Sequence, residues 1–144
     1  MADILKVQDL RVHFHDAAPD RFAVDGVSFS IGDGEILGLV GESGSGKTVT
    51  AMSISGLLPR RKADVSGSIT LDGTEILQCP EKEILDILGE ELGIVFQEPM
   101  SSMNPVMRIG PQVEESLRIH TKKTAKERKE AALAAMAEAE PISA

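Results

Sequence analysis

Apolar and polar residues partly alternate from Ile4 to Phe14 (Ile-Leu-Lys-Val-Gln-Asp-Leu-Arg-Val-His-Phe), which predicts an edge or half-buried strand. His15 to Arg21 holds Asp16, Pro19 and Asp20 and reads as a turn. Alternation resumes over Phe22 to Ile31, a second strand, and Gly32-Asp33-Gly34 is a tight turn. Two strands joined by short connections predict an antiparallel sheet. The pattern then changes. Ile36 to Val40 is a continuous apolar run, consistent with a buried parallel strand. Thr48 to Leu58 reads as a helix whose apolar positions are Val49, Met52, Ile54, Leu57 and Leu58.

Pro59 stops that helix, and Arg60, Arg61 and Lys62 suit the negative end of its dipole. Ser66 to Gly73 is a short strand ending in an Asp-Gly turn. Pro80 to Gly89 predicts a helix, and Leu92 to Phe96 a second buried strand, followed at once by Gln97. Glu98 to Pro105 is a loop. Ile109 to His120 is expected to be helical with Pro111 in its first turn. Thr124 to Glu140 is a further helix that Pro141 ends, and Lys122, Lys123, Lys126, Arg128 and Lys129 make a basic, solvated face.

Composition narrows the class. With 144 residues, 42% hydrophobic content and a net charge of −8, the chain is one domain at most, or part of one. Four Phe and no Trp or Tyr leave an aliphatic core. The acidic balance argues against a dedicated nucleic-acid binder. A lone Cys79 excludes an internal disulfide, fits a reducing compartment and reads as an inert, half-buried or exposed thiol. No apolar run approaches the roughly 18 residues of a membrane span, and the opening Met1-Ala2-Asp3 is not a secretory signal. These features predict a cytoplasmic protein.

The chemistry sits between the apolar run and the helix. Gly41-Glu42-Ser43-Gly44-Ser45-Gly46-Lys47-Thr48 fits G-x-x-x-x-G-K-[ST]. Glycines let the backbone wrap so that several N–H groups face one anion, and the helix starting near Gly46 adds its positive end. Lys47 can reach β- and γ-phosphate oxygens, and the Thr48 hydroxyl can ligate Mg²⁺. Strand, glycine loop, helix is the context that separates this motif from a chance glycine-rich turn. A dinucleotide fingerprint fails, because Gly44-Ser45-Gly46 runs on into Lys47-Thr48-Val49.

Taken with that loop, Val95-Phe-Gln-Glu-Pro-Met-Ser-Ser-Met-Asn-Pro105 makes the chain resemble the ATP-binding subunits of ABC transporters. The likeness is to the oligopeptide, dipeptide and nickel importer branch, whose Q-loop commonly reads Phe-Gln-Asp-Pro-Met-x-Ser-Leu-Asn-Pro. The glycine loop is similar to that branch's Walker A. Asp9 to Phe14, Ala23-Val24 and Gly32 to Glu35 sit where its opening strands would lie, and the resemblance runs from about Ile4 to about His120. It implies an α/β fold: a P-loop NTPase with a RecA-like core, an N-terminal antiparallel β subdomain, an incomplete parallel sheet and the start of a helical subdomain. Residues 1–97 would hold the β subdomain and Walker A core, and 98–144 the Q-loop continuation and start of the helical part.

The resemblance further implies an ATPase that couples binding and hydrolysis of ATP, with Mg²⁺, to uptake of peptides or nickel. ATP would be held by Gly41, Glu42, Ser43, Gly44, Ser45, Gly46, Lys47, Thr48 and Val49. Phe14 would stack on adenine, although a core Phe between strands fits its pattern equally. Thr48 and Gln97 would hold Mg²⁺ or position the attacking water, and the Gln97 loop would contact transmembrane permease subunits on the inner face of the membrane. A second ATP-binding subunit would complete the site. His13 and His15 match no family role, and His120 reads as structural. No Ser-Gly-Gly and no apolar run ending in Asp-Glu occurs in the sequence, so the chain is expected to be the N-terminal part of such a domain, with no catalytic carboxylate of its own. Another P-loop enzyme, such as a small kinase, and a non-catalytic docking fragment are the alternatives.

Overall fold

The computed structural model describes residues 3–80, 83–84, 87, 91–98 and 103–139. The chain divides into two compact units, Met1–Leu85 and Asp86–Ala144.

The first unit is built on a four-stranded antiparallel sheet in the order β2-β1-β3-β4. Its strands are β1 (Asp3–Phe14), β2 (Val24–Gly32), β3 (Ala63–Leu71) and β4 (Thr74–Glu75). The strand expected to be at an edge or half-buried, β1, is internal and half-buried, hydrogen-bonded to β2 on one side and β3 on the other. Its imperfect alternation has a physical cause. Between Val7 and Leu10 it advances three residues while β2 advances two, from Phe29 to Val27. Between Gln8 and Arg11 the same excess opens against Ser68 and Ser66 of β3. The extra residue forms a β-bulge, at which Asp9 takes φ 46 and donates its N–H to Ser28 Oγ at 2.8 Å.

The bulge changes the parity of the strand. Leu5 and Val7 before it, and Leu10 and Val12 after it, are all buried. Without the extra residue Leu10 and Val12 would turn to the opposite face. Burying two such side chains is worth roughly 3–6 kcal/mol, comparable with the whole stability of a small domain. Gly67 on β3 makes room: a Cβ there would lie 2.6 Å from the carbonyl oxygens of Gln8 and Asp9, and its φ is +105. Ile69, with Leu10, Val7 and Val12, completes the fully buried aliphatic set.

The expected Asp-Gly hairpin is present. Asp72 (φ 44) and Gly73 (φ 83) link Leu71 to its partner Thr74, both residues being left-handed as a two-residue turn requires. The Glu75 carboxylate then accepts hydrogen bonds from Ser68 Oγ and from the N–H groups of Ile69 and Leu77. Cys79, expected to be half-buried or exposed, is buried, and its thiol donates to the Glu75 carbonyl.

Helix α1 spans Lys47–Ile54, shorter than the expected Thr48 to Leu58. It stops because Gly56 turns left-handed (φ 65), and the N–H groups of Leu57 and Leu58 fold back onto the Met52 carbonyl. Its buried positions are Thr50 and Ser53, while Leu57 is exposed. Thr50 and Ser53 satisfy their hydroxyls on the carbonyls of Gly46 and Val49. Arg60 lies beyond the helix end and does not serve its dipole; it donates to the Leu77 and Cys79 carbonyls. Ile36 to Val40 forms no strand, and Ile36 is 95% and Val40 90% exposed. An apolar strand is buried only by neighbours, and among the described residues none pairs with this one.

In the second unit, α2 (Ile109–Val113) and α3 (Glu115–His120) share Glu114 as the end of one and the start of the other. The expected single helix is broken there by one residue. Helix α4 spans Ala125–Glu138 and opens on a capping box between Thr124 and Glu127. Lys122, Lys123, Lys126 and Lys129 are exposed, and Arg128 donates to the Lys123 carbonyl. Gln112 organises the preceding loop, bonding the backbone of Asn104 through both ends of its amide and the carbonyls of Met107 and Arg108. The expected strand Leu92 to Phe96 is not formed; Leu92 makes one isolated bridge, and Val95 is 99% exposed. The predicted Pro80 to Gly89 helix falls largely outside the described residues, as does the loop at 99–102.

Candidate functional site

The glycine loop leads into the N-terminus of α1. Gly44 (φ 78) and Gly46 (φ 89) both adopt left-handed conformations, which bend the backbone back on itself. The Ser45 N–H donates to the Glu42 carbonyl at 3.2 Å. The curl is tight: a Cβ on Gly41 would come within 2.6 Å of Ser45 Oγ. Helix α1 starts after Gly46 with no side-chain cap on its first N–H groups. An anion placed there meets those N–H groups and the positive end of the helix.

Lys47 lies inside the curl. Its ammonium donates to the Gly41 carbonyl at 2.8 Å, the Glu42 carbonyl at 2.6 Å and Ser45 Oγ at 3.2 Å. The loop thus fixes the cation while the cation holds the loop closed. Thr48, the next residue, is exposed at the first turn. Its hydroxyl could serve as one oxygen ligand to a Mg²⁺ bound with phosphates. Among the described residues no cluster of three His, Cys, Asp or Glu could hold a metal by itself, so a cation here would depend on the phosphates for its remaining ligands.

A cavity of about 510 Å³ opens beside the loop. Gly41, Gly44, Ser45 and Lys47 line one part of it, and Leu39, Val40 and Thr50 flank them. Its remaining wall is the segment entering β2: Phe22, Ala23, Val24, Asp25 and Val27. A smaller cavity of about 140 Å³ lies along Gly44 to Val49 and Ala23. The geometry can hold a chain of phosphates at the glycine loop and a larger apolar group against Phe22. Asp25, the carboxylate in this wall, is bonded by the Arg11 guanidinium at 2.9 Å.

Of the residues singled out in the sequence, Gly41 to Val49 come together as one loop and helix start. Phe14, half-buried at the end of β1, does not line the large cavity. Gln97 lies exposed at a bend in the second unit. The sequence reading missed Phe22 and Asp25. Each stood inside an alternating strand pattern, and only the seating of the glycine loop against β2 gives them a place in the wall. His13 and His15 have structural partners: His13 Nε2 meets the Ala18 carbonyl at 3.0 Å and its ring packs edge-on against Phe22. His15 Nε2 meets Asp64 Oδ1 at 3.1 Å. That hydrogen bond raises the His15 pKa above its usual value; desolvation opposes it, and the Asp64 charge adds to the rise.

Comparison with known proteins agrees with this geometry. A family model described as ABC transporter matches residues 24–142. The oligopeptide transport ATP-binding protein OppD of Escherichia coli is 46% identical over 117 residues, covering 81% of this chain and 34% of that protein. The dipeptide transport ATP-binding protein DppD of Haemophilus influenzae is 38% identical over 130 residues, covering 90% of this chain and 39% of that protein. The chain therefore spans a little over a third of the length of these relatives. A solved ATP-binding cassette, a dimer in a post-hydrolysis state with ADP and Pi, superposes with a TM-score of 0.74 over 93% of this chain and 57% of its own, at 24% identity. That likeness is one of fold, a P-loop NTPase. A family model that matches residues 24–142, most of the chain, places this protein in the ABC transporter family.

Proposed function

We propose that this chain is the nucleotide-binding part of an ATP-binding subunit that drives import of peptides. The observation that carries the proposal is the glycine loop curled around Lys47 at the uncapped start of α1. Similarity to proteins named for oligopeptide and dipeptide transport supports the class of solute.

In this reading the loop N–H groups and Lys47 would hold the β- and γ-phosphates of ATP, and the Thr48 hydroxyl would hold Mg²⁺. These groups neutralise charge that grows on the transferred phosphoryl group during hydrolysis. Lys47 gives up part of its bonding to the Gly41 and Glu42 carbonyls as phosphate oxygens replace them. The loop that carries Gln97 would contact the membrane permease. Among the described residues no helix is long and apolar enough to cross a membrane. Association with the membrane would run through those permease subunits. A second ATP-binding subunit completes the site, as the dimeric solved relative suggests.

The 144-residue chain binds Mg-ATP but does not turn it over. Asp25 is committed to Arg11, and the sequence holds no apolar run ending in Asp-Glu to polarise a water. The test is equilibrium binding of Mg-ATP together with phosphate release by freshly purified protein. Saturable binding without sustained release supports the proposal. Absence of binding, or turnover that disappears in the Lys47→Ala variant, contradicts it; Glu42 and Glu98 would then be the first carboxylates to replace.

A further inference from the structure

We propose that a cavity at the far end of α1 is a second ligand site, which takes a free aliphatic amino acid as its zwitterion. The cavity measures about 240 Å³ and lies within the first unit. It shares no lining residue with the two cavities at the phosphate loop. Its walls are aliphatic: Leu58, Ala63, Ile76 and Ile84 line it and are buried. Ile84 packs so closely on Gly56 that a Cβ there would lie 2.8 Å from its Cγ2. Ser53 brings no unmet polar group, because its hydroxyl donates to the Val49 carbonyl. The volume falls short of the roughly 300–1,000 Å³ of sites for drug-sized ligands and suits a molecule the size of leucine.

The lining also carries one charge of each sign, Arg60 and Asp64. Each is tethered on one side only. Arg60 Nη2 donates to the carbonyls of Leu77 and Cys79, both at 3.3 Å; its Nε and Nη1 donate to no group among the described residues. Asp64 Oδ1 is bonded by His15 Nε2 at 3.1 Å, and its Oδ2 accepts from no group among them. A guanidinium with an open edge takes a carboxylate, and a carboxylate with an open oxygen takes an ammonium. Only a zwitterion answers both, while the aliphatic walls accept its side chain. The tethers hold the two groups before the ligand arrives, which lowers the ordering cost of binding.

The test is NMR titration of the Ile76 and Ile84 methyl signals with leucine and two analogues that each lack one charge. Leucinamide has no carboxylate, and 4-methylpentanoate has no amine. Leucine should shift both signals saturably in the millimolar range, and each analogue should bind about tenfold more weakly, the loss of one charge-assisted hydrogen bond. Asp64→Asn should weaken leucine about tenfold and leave 4-methylpentanoate unchanged; Asp64 is exposed, so this variant leaves the core intact. Arg60→Gln should weaken leucine likewise and leave leucinamide unchanged. A merely structural role for either residue would weaken leucine and the analogue alike. The proposal is overturned if leucine leaves the two signals unmoved, if leucine and both analogues bind equally, or if Asp64→Asn weakens 4-methylpentanoate as much as leucine. Equal weakening of leucine and leucinamide by Arg60→Gln overturns it as well.

Discussion

A Cβ placed on Gly46 would lie 2.4 Å from the carbonyl oxygen of Ala23. The last glycine of the loop is thus the point where α1 and the start of β2 meet backbone to backbone. Gly46→Ala meets both this overlap and a φ of +89, a conformation that costs a side-chain-bearing residue about 1–3 kcal/mol. The expected outcome is loss of Mg-ATP binding together with a lower urea midpoint. Gly34→Ala controls for the left-handed backbone alone, since it has φ +70 but nothing within 4 Å of its Cβ. It should lower the midpoint and leave nucleotide affinity unchanged.

The His15–Asp64 pair ties the end of β1 to the start of β3. His15 is raised above its usual pKa of about 6.5 by its bond to Asp64. Its contribution is therefore fully present below about pH 6.5 and is lost as pH rises through the raised folded value. Both groups are solvent-exposed, so the effect is small and weakens with salt. NMR titration of the His15 ring should show the raised midpoint, and Asp64→Asn should return it towards the ordinary value. An unchanged midpoint in that variant would assign the shift to another group.

Helix α4 buries only Ala132 among its residues and so depends on composition and capping more than on packing. Thr124 Oγ1 accepts from the Glu127 N–H, and the Glu127 carboxylate accepts from the Thr124 N–H. The Thr124 hydroxyl, and then its N–H, donate to the Glu127 carboxylate and lower its pKa, so this stabilisation is present above the usual carboxylate range and is lost as pH falls through the lowered folded value. Thr124→Ala should cost about 1 kcal/mol of helix stability. Circular dichroism should show reduced helicity, and Thr124→Ser should retain it.

Gln97 should matter to coupling more than to affinity. In cells carrying the complete subunit and its permease, Gln97→Ala should cut peptide uptake severely while Mg-ATP binding stays within a few-fold. Uptake at the unaltered rate would remove the role given to this loop.

Legibility of the fold followed the range of the forces involved. The Asp72-Gly73 turn and the Gly41 to Thr48 loop are local: residue type alone fixes their backbone, and both formed where expected. The capping box at Thr124 and Glu127 was equally local, with a readable Thr-x-x-Glu spacing that the sequence reading passed over. The bulge at Asp9 left its mark in the spacing of Leu5, Val7, Leu10 and Val12, yet its cause lies in Ser28 and Gly67, far along the chain. The runs Ile36 to Val40 and Leu92 to Phe96 were expected to be buried strands. They are exposed because burial is a property of neighbouring strands, which five apolar residues do not specify. The cavity wall at Phe22 and Asp25 was hidden for the same reason: it exists only through the contact of Gly46 with Ala23.

The central claim is that this loop binds phosphate through Lys47, and Mg-ATP titration by calorimetry tests it most directly. Lys47 makes three bonds within the loop, whereas Lys62 is exposed beyond the far end of α1. Lys47→Ala should weaken Mg-ATP at least tenfold, the effect of losing one charge-assisted hydrogen bond of about 1.5–3 kcal/mol. Lys62→Ala should bind as the unaltered chain does. Equal affinity in the two variants would contradict the account.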